Sequence, residues 1–151
     1  QTKILLTTFI LAFVLGVNVS CQSNSEWPIR NPFGTKKIKF EDGISTILES
    51  RCLECHNHVD ASQHGKLNLE SREMAFSTGT HTPVILPGRP KESMLYRVLQ
   101  VDDLHPMFMP PTPDRLWQNE LKLIYKWIEQ GADWPEGKVG QLVRPQDWQS
   151  R

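Results

Sequence analysis

The sequence predicts a mainly α fold in which short amphipathic helices are joined by long ordered connections. Three observations carry this reading. Apolar residues recur every three or four positions in the stretches 44–52, 94–99 and 117–128, the spacing that gives a helix one buried face. No stretch carries a strand-rich alternation. Eleven prolines in 151 residues fall mostly between the helical stretches, where a fixed φ and a missing N–H suit turns rather than a regular bundle.

In chain order the first element is a leader. After Lys3 comes the uncharged run ILLTTFILAFVLGVNV, from Ile4 to Val19, which meets Ser20 and Cys21. One positive charge, an apolar region and a small residue before a cysteine read as a secretory signal of the lipoprotein kind, with Cys21 as the lipid-bearing residue. Asn18 departs from that pattern, because leucine is usual at its position. As a helix the run would span about 24 Å, short of the roughly 30 Å hydrocarbon core, so a retained membrane anchor is the alternative. Either way, residues 1–20 direct export to the periplasm or the outer face of a bacterial membrane. Residues 21–38, with Pro28, Asn31, Pro32 and Gly34, read as a tether.

The domain is expected over 39–137, with 138–151 as a C-terminal tail. FEDGISTILESRC places Ile44, Ile47, Leu48 and Cys52 at helical spacing, with Glu41 and Asp42 at the end where the helix dipole favours acids. Residues 57–66 read as polar loop. LNLESREMAF is a short extended piece followed by a helical turn, and PVILPGRP a proline-bounded connection. In PKESMLYRVLQ, Pro90 suits a first helical turn, and Met94, Leu95, Val98 and Leu99 form one face. DDLHPMFMPPTP holds too many prolines for a helix or central strand and is expected as an ordered loop. The final helix, in LWQNELKLIYKWIEQGADWP, presents Leu121, Ile124 and Ile128, extended by Trp117 and Trp127. It should stop at Gly131 as a left-handed cap, with Pro135 beyond.

A chain of this length forms one domain. Seventeen basic residues balance seventeen acidic ones, which leaves no broad electrostatic footprint for nucleic acid. The run Lys36, Lys37, Lys39 reads as solvated surface.

With Cys21 assigned to the leader, Cys52 and Cys55 remain, inside RCLECHNH with His56 and His58. A structural zinc site needs about four ligands, usually as two separated pairs. No second CxxC exists here, although His56, His58, His64 and His81 could be borrowed. A thioredoxin-like dithiol would follow a strand in a βαβ pattern, which the helical reading denies. A disulfide closing so short a loop would add little stability. Haem attachment uses all three special residues: the thiols of Cys52 and Cys55 add to the two vinyl groups, and His56 supplies the proximal iron ligand. On a helical turn Cys52 and His56 lie four apart and point the same way. For the sixth ligand the candidates are Met107 and Met109, followed by His105, His81, His64 and His58. Met109 leads because it directly precedes Pro110 and Pro111, which restrict its backbone. Met74 and Met94 sit in helical patterns and read as core filler.

These residues resemble the c-type cytochromes, and more narrowly the planctomycete-type cytochrome c domain of exported bacterial proteins. The resemblance runs from about Phe40 to Pro135 and rests, in order, on ILESRCLECH, KLNLESREMAF, PGRPKESMLYR, MPP and IYKWIEQGADWP. It implies a small helical domain around one covalently bound haem c. The CxxCH helix and the C-terminal helix would pack near each other, and Met109 takes the MPP position. Pro87 to Pro90 would fix a turn and a helix start, while Trp127 and Trp134 would pack the core. Arg89 and Arg97 are candidates for a haem propionate, although a solvated surface role is preferred for both. The function implied is electron transfer by a membrane-anchored monohaem cytochrome with His56 and Met109 as ligands, working with a redox protein or a membrane complex. The rivals are an electron-relay subunit of a larger membrane complex and a peroxidase-like haem enzyme with a displaceable sixth ligand.

Overall fold

The structure, a computed structural model, describes residues 36–144, so the leader with Cys21 and most of the tether lie outside the described residues. Its α-helices are α1 (Ile44–Arg51), α2 (Arg72–Ser77), α3 (Met94–Val98) and α4 (Gln118–Glu129). Turns of 3-10 helix stand at Phe40–Asp42, Ala61–Gln63, Pro90–Glu92 and Gly137–Gly140. Among the described residues there is no strand, and no helix is long and apolar enough to cross a membrane. The fold class is mainly α, as the periodicity predicts.

Helices α1 and α4 pack together. Ile44, Ile47 and Leu48 of α1 and Ile124, Trp127 and Ile128 of α4 are almost wholly removed from water, each burial being worth about 1.5–3 kcal/mol. Phe40 stacks on Trp134 with ring centroids 4.5 Å apart, and Trp127 lies against both. Both buried indoles find acceptors: Trp127 Nε1 donates to the Asp133 carbonyl at 3.0 Å and Trp134 Nε1 to the Gly140 carbonyl at 2.8 Å. These two tryptophans therefore build the core. Trp117 does not extend their stripe. It is the N-cap of α4, with extended backbone that takes its side chain out of helical register, and it is 69% exposed.

The end of α4 is the glycine stop read from the sequence. Gly131, at φ 109°, donates to the Ile128 carbonyl, and Ala132 donates to the Trp127 carbonyl, the two nested bonds of a Schellman motif. The Gly88 N–H reaches the same Ile128 carbonyl at 2.7 Å, which docks the PGRP segment on the end of α4. Beyond it, the stretch expected as one helix breaks at Ser93 into the Pro90–Glu92 turn and α3. Ser93 is fully buried; its Oγ accepts the Leu86 N–H at 2.8 Å and donates to the Arg89 carbonyl at 3.1 Å. A serine hydroxyl that bonds nearby backbone in this way competes with the helical ladder.

Two further expectations change. Met74, read as core filler, is 42% exposed, because the short α2 buries only Ala75 and its few residues define no broad face. Packing also continues on both sides of the expected span. Ile38 is buried with its N–H on Gln130 Oε1, and Leu142 is buried with its N–H on the Glu70 carbonyl.

Replacing Ser93 by Ala leaves the Leu86 N–H without its acceptor in a covered position. It should lower unfolding free energy by about 1–3 kcal/mol in urea titrations. Lys91→Ala, on the exposed side of the same turn, should change it by less than about 0.5 kcal/mol.

Candidate functional site

Helix α1 ends at Arg51, one residue before Cys52. The Leu53 N–H reaches back to the Leu48 carbonyl at 2.9 Å, one residue further than an α-helical bond, and widens the turn. The His56 N–H then bonds the Cys52 carbonyl at 3.0 Å, so Cys52 and His56 keep the four-residue relation of a helical turn beyond the end of the helix.

Asn57 braces this turn, a role the sequence reading missed. Its side chain is buried; Nδ2 donates to the carbonyls of Leu53 (3.0 Å) and Glu54 (2.7 Å), while Oδ1 accepts the N–H groups of Val59 (2.8 Å) and Asp60 (3.1 Å). The available signal was the habit of Asn to bond backbone two or three residues onward. The His56 carbonyl is held in turn by the Leu69 N–H at 2.8 Å.

A cleft of about 350 Å³ opens beside the turn, with mostly apolar walls. It brings together Cys52, Cys55, His56 and Met109, residues separated by up to 57 positions (109 minus 52). Leu67, Leu95 and Leu99 furnish apolar lining. Although Cys52 as a residue is only half-buried, its thiol is desolvated, and burial pushes it up to about 12 against the opposing charge of Arg51. Burial also raises the Cys55 thiol above its ordinary value. His56 is shifted the other way: burial first and the neighbouring His64 second lower its pKa, outweighing the Leu67 and His64 carbonyls. A lowered value keeps the imidazole neutral at neutral pH, the form that ligates a metal. Its Nδ1 is buried with no hydrogen-bond partner. Two free thiols, a neutral imidazole with an orphaned nitrogen and an apolar cleft fit a haem. Among the described residues no three His, Cys, Asp or Glu side chains gather as a zinc site requires.

Residues 52–113 match the family model described as planctomycete cytochrome C, a span that begins at the first thiol of this turn and closes just after MPP. That match, over 62 of the 151 residues (113 minus 52 plus 1), supports a planctomycete-type cytochrome c domain. The match likewise supports haem binding. Helices α1 and α4 lie outside the matched span, and no curated protein or solved structure matches the chain.

Within the cytochrome domain the candidate sixth ligands divide. Met109, Met107, His64, His81 and Met94 border the cleft, whereas His58 and His105 do not. His58 stands outside, its Nδ1 2.6 Å from the Glu70 carboxylate, and His105 is exposed, accepting the Met107 N–H at 3.1 Å. Met94 belongs to the cleft wall as much as to the core. Met109 packs against the core, and its N–H is pinned to the Val98 carbonyl at 3.1 Å. Arg89 is paired with Glu92, and neither Arg89 nor Arg97 borders the cleft.

Glu70 closes the segment that follows the cysteine turn. Its carboxylate accepts from the His58 N–H and ring and from Asn68 Nδ2, and its carbonyl accepts from Leu142. Burial acts to raise its pKa, but the hydrogen bonds from His58 and Asn68 together outweigh it, and the net shift is downward. A depressed carboxyl stabilises the fold above its unfolded pKa and loses that contribution as pH falls through the folded value. Glu70→Gln should therefore cost about 1–2 kcal/mol at neutral pH. Denaturant midpoints of the two proteins should converge as the pH is lowered through the carboxylate range.

Proposed function

We propose that this domain is a one-electron carrier holding a single haem c, bonded through Cys52 and Cys55, with His56 and Met109 as the axial ligands. The observation that carries the reading is the convergence of those four side chains on one apolar cleft. A haem bound there supplies one-electron chemistry at iron, between Fe(III) and Fe(II). The protein's own part is positional. The thiols tether the group, the neutral His56 imidazole offers a lone pair, and the apolar walls keep water away. Met109 offers a thioether, which favours the reduced state relative to a second imidazole. Because axial ligation need not change with oxidation state, a fixed site suffices, and the partner is a redox protein or a membrane complex to which the domain relays electrons. The leader supports export, with lipid on Cys21 holding the domain at the outer face of a bacterial membrane, since two or more acyl chains give stable attachment.

One observation favours a second reading. A hollow of about 400 Å³, bordered by Gln100, Arg115 and Gln118, shares Met109 and Leu99 with the cleft. It offers room for Met109 to leave the iron, as a ligand-binding haem enzyme would require.

Intact mass in denaturant should exceed that of the bare chain by one haem, and replacing both Cys52 and Cys55 by Ala should abolish stable retention. Met109→Ala should remove the weak sulfur-to-iron band at the red end of the ferric spectrum, lower the reduction potential and admit carbon monoxide, while Met107→Ala leaves all three intact. Carbon monoxide binding by the unaltered ferrous protein would favour the second reading, and losses confined to the Met107 variant would move the ligand two residues.

A further inference from the structure

Arg51 closes α1 and places a positive charge at the edge of the cleft. Its side chain borders the cleft beside Cys52 and is only 22% exposed, and its Nε is buried with no hydrogen-bond partner. The neighbouring carboxylate is Glu120 on α4, 3.9 Å from Nη2, which is an ion pair but too long for a hydrogen bond. Glu120 is also engaged elsewhere: its Oε2 accepts the Trp117 N–H at 2.6 Å and holds the start of α4. Glu120 does not itself border the cleft. A guanidinium left short of acceptors in a covered position is costly to keep, and its field is weakly screened by salt. Both charges are felt at the Cys52 sulfur, where, beneath the larger effect of burial, Arg51 lowers the pKa and Glu120 raises it.

We propose that Arg51, opposed by Glu120, sets the reduction potential of the group held in the cleft, the cation on the cleft wall favouring the reduced state and the carboxylate behind it tempering that preference. The inference rests on the haem-carrier reading. One electron from the redox partner takes iron from Fe(III) to Fe(II) and adds one negative charge; no bond forms or breaks. Glu54 and Asp114 also border the cleft, so the absolute potential sums over several groups. Removing one charge nevertheless shifts that sum in the direction fixed by its sign.

The test is the midpoint potential of the full haem-loaded chain, read by spectroelectrochemical titration at low and high salt. Arg51→Gln should lower it by roughly a tenfold change in the electron-exchange equilibrium, about 59 mV for one electron. Arg51→Lys should retain most of the potential, and Glu120→Gln should raise it while keeping an oxygen for the Trp117 N–H. The shifts should persist at high salt. A purely structural pair would lower the melting temperature of both variants without moving their potentials in opposite directions. Unmoved potentials with unaltered spectra, or variants that move the same way, overturn the proposal. Should Arg51→Gln fail to fold, Glu120→Gln decides, because its potential must rise. A wild-type chain that takes up no haem would overturn the carrier reading beneath it.

Discussion

Helix α1 is eight residues long and could not persist alone in water, so it exists because Ile44, Ile47 and Leu48 are buried in the core it shares with α4. The same contact decides where the cysteine turn begins. Where α1 ends, the Leu53 bond to Leu48 opens the chain into the turn that carries both thiols and His56. Loosening α4 would therefore reach Cys52, Cys55 and His56 without any of them being changed. The domain guards α4 accordingly: Glu120 holds its start, and the Ile128 carbonyl takes bonds from both Gly131 and Gly88 at its end.

With so little regular secondary structure, much of the backbone depends on side chains for its hydrogen bonds. Two buried polar residues show the pattern. Asn57 satisfies carbonyls before it and N–H groups after it, and Ser93 serves an N–H and a carbonyl of the connection that precedes it, Leu86 and Arg89. Asn57 directly follows the His56 that lines the cleft, and Ser93 is the N-cap of α3, whose Met94, Leu95 and Val98 line it. A rigid cleft assembled largely from loops needs such bonds, because loops alone leave backbone groups unpaired.

The parts of the fold legible in the sequence were those encoded locally and repeatedly. Helix α4 runs several turns with a regular apolar stripe and a glycine stop, so its body and its end were both readable. The shorter pieces were not: α2 covers too few residues to define a face, which is why Met74 was misjudged, and Ser93 splits a helix through partners outside its own segment. At the site, Cys52, Cys55 and His56 announce themselves because their spacing is itself the chemistry. The pinning of Met109 by Val98, the bracing role of Asn57 and the placement of Arg51 against Glu120 depend on long-range or turn geometry that no motif records.

The desolvation of the Cys52 thiol bears on timing. Its raised pKa belongs to the folded domain, in which α1 is already docked on an α4 that begins 66 residues later (118 minus 52). A chain delivered N-terminus first presents RCLECH well before α4 arrives to complete that packing. During this interval the sulfur is wetted and keeps the reactivity of an ordinary cysteine. In the folded domain burial raises its pKa, which leaves less of it as the reactive thiolate. Order of emergence along the chain thus presents the Cys52 sulfur before the packing that raises its pKa is complete.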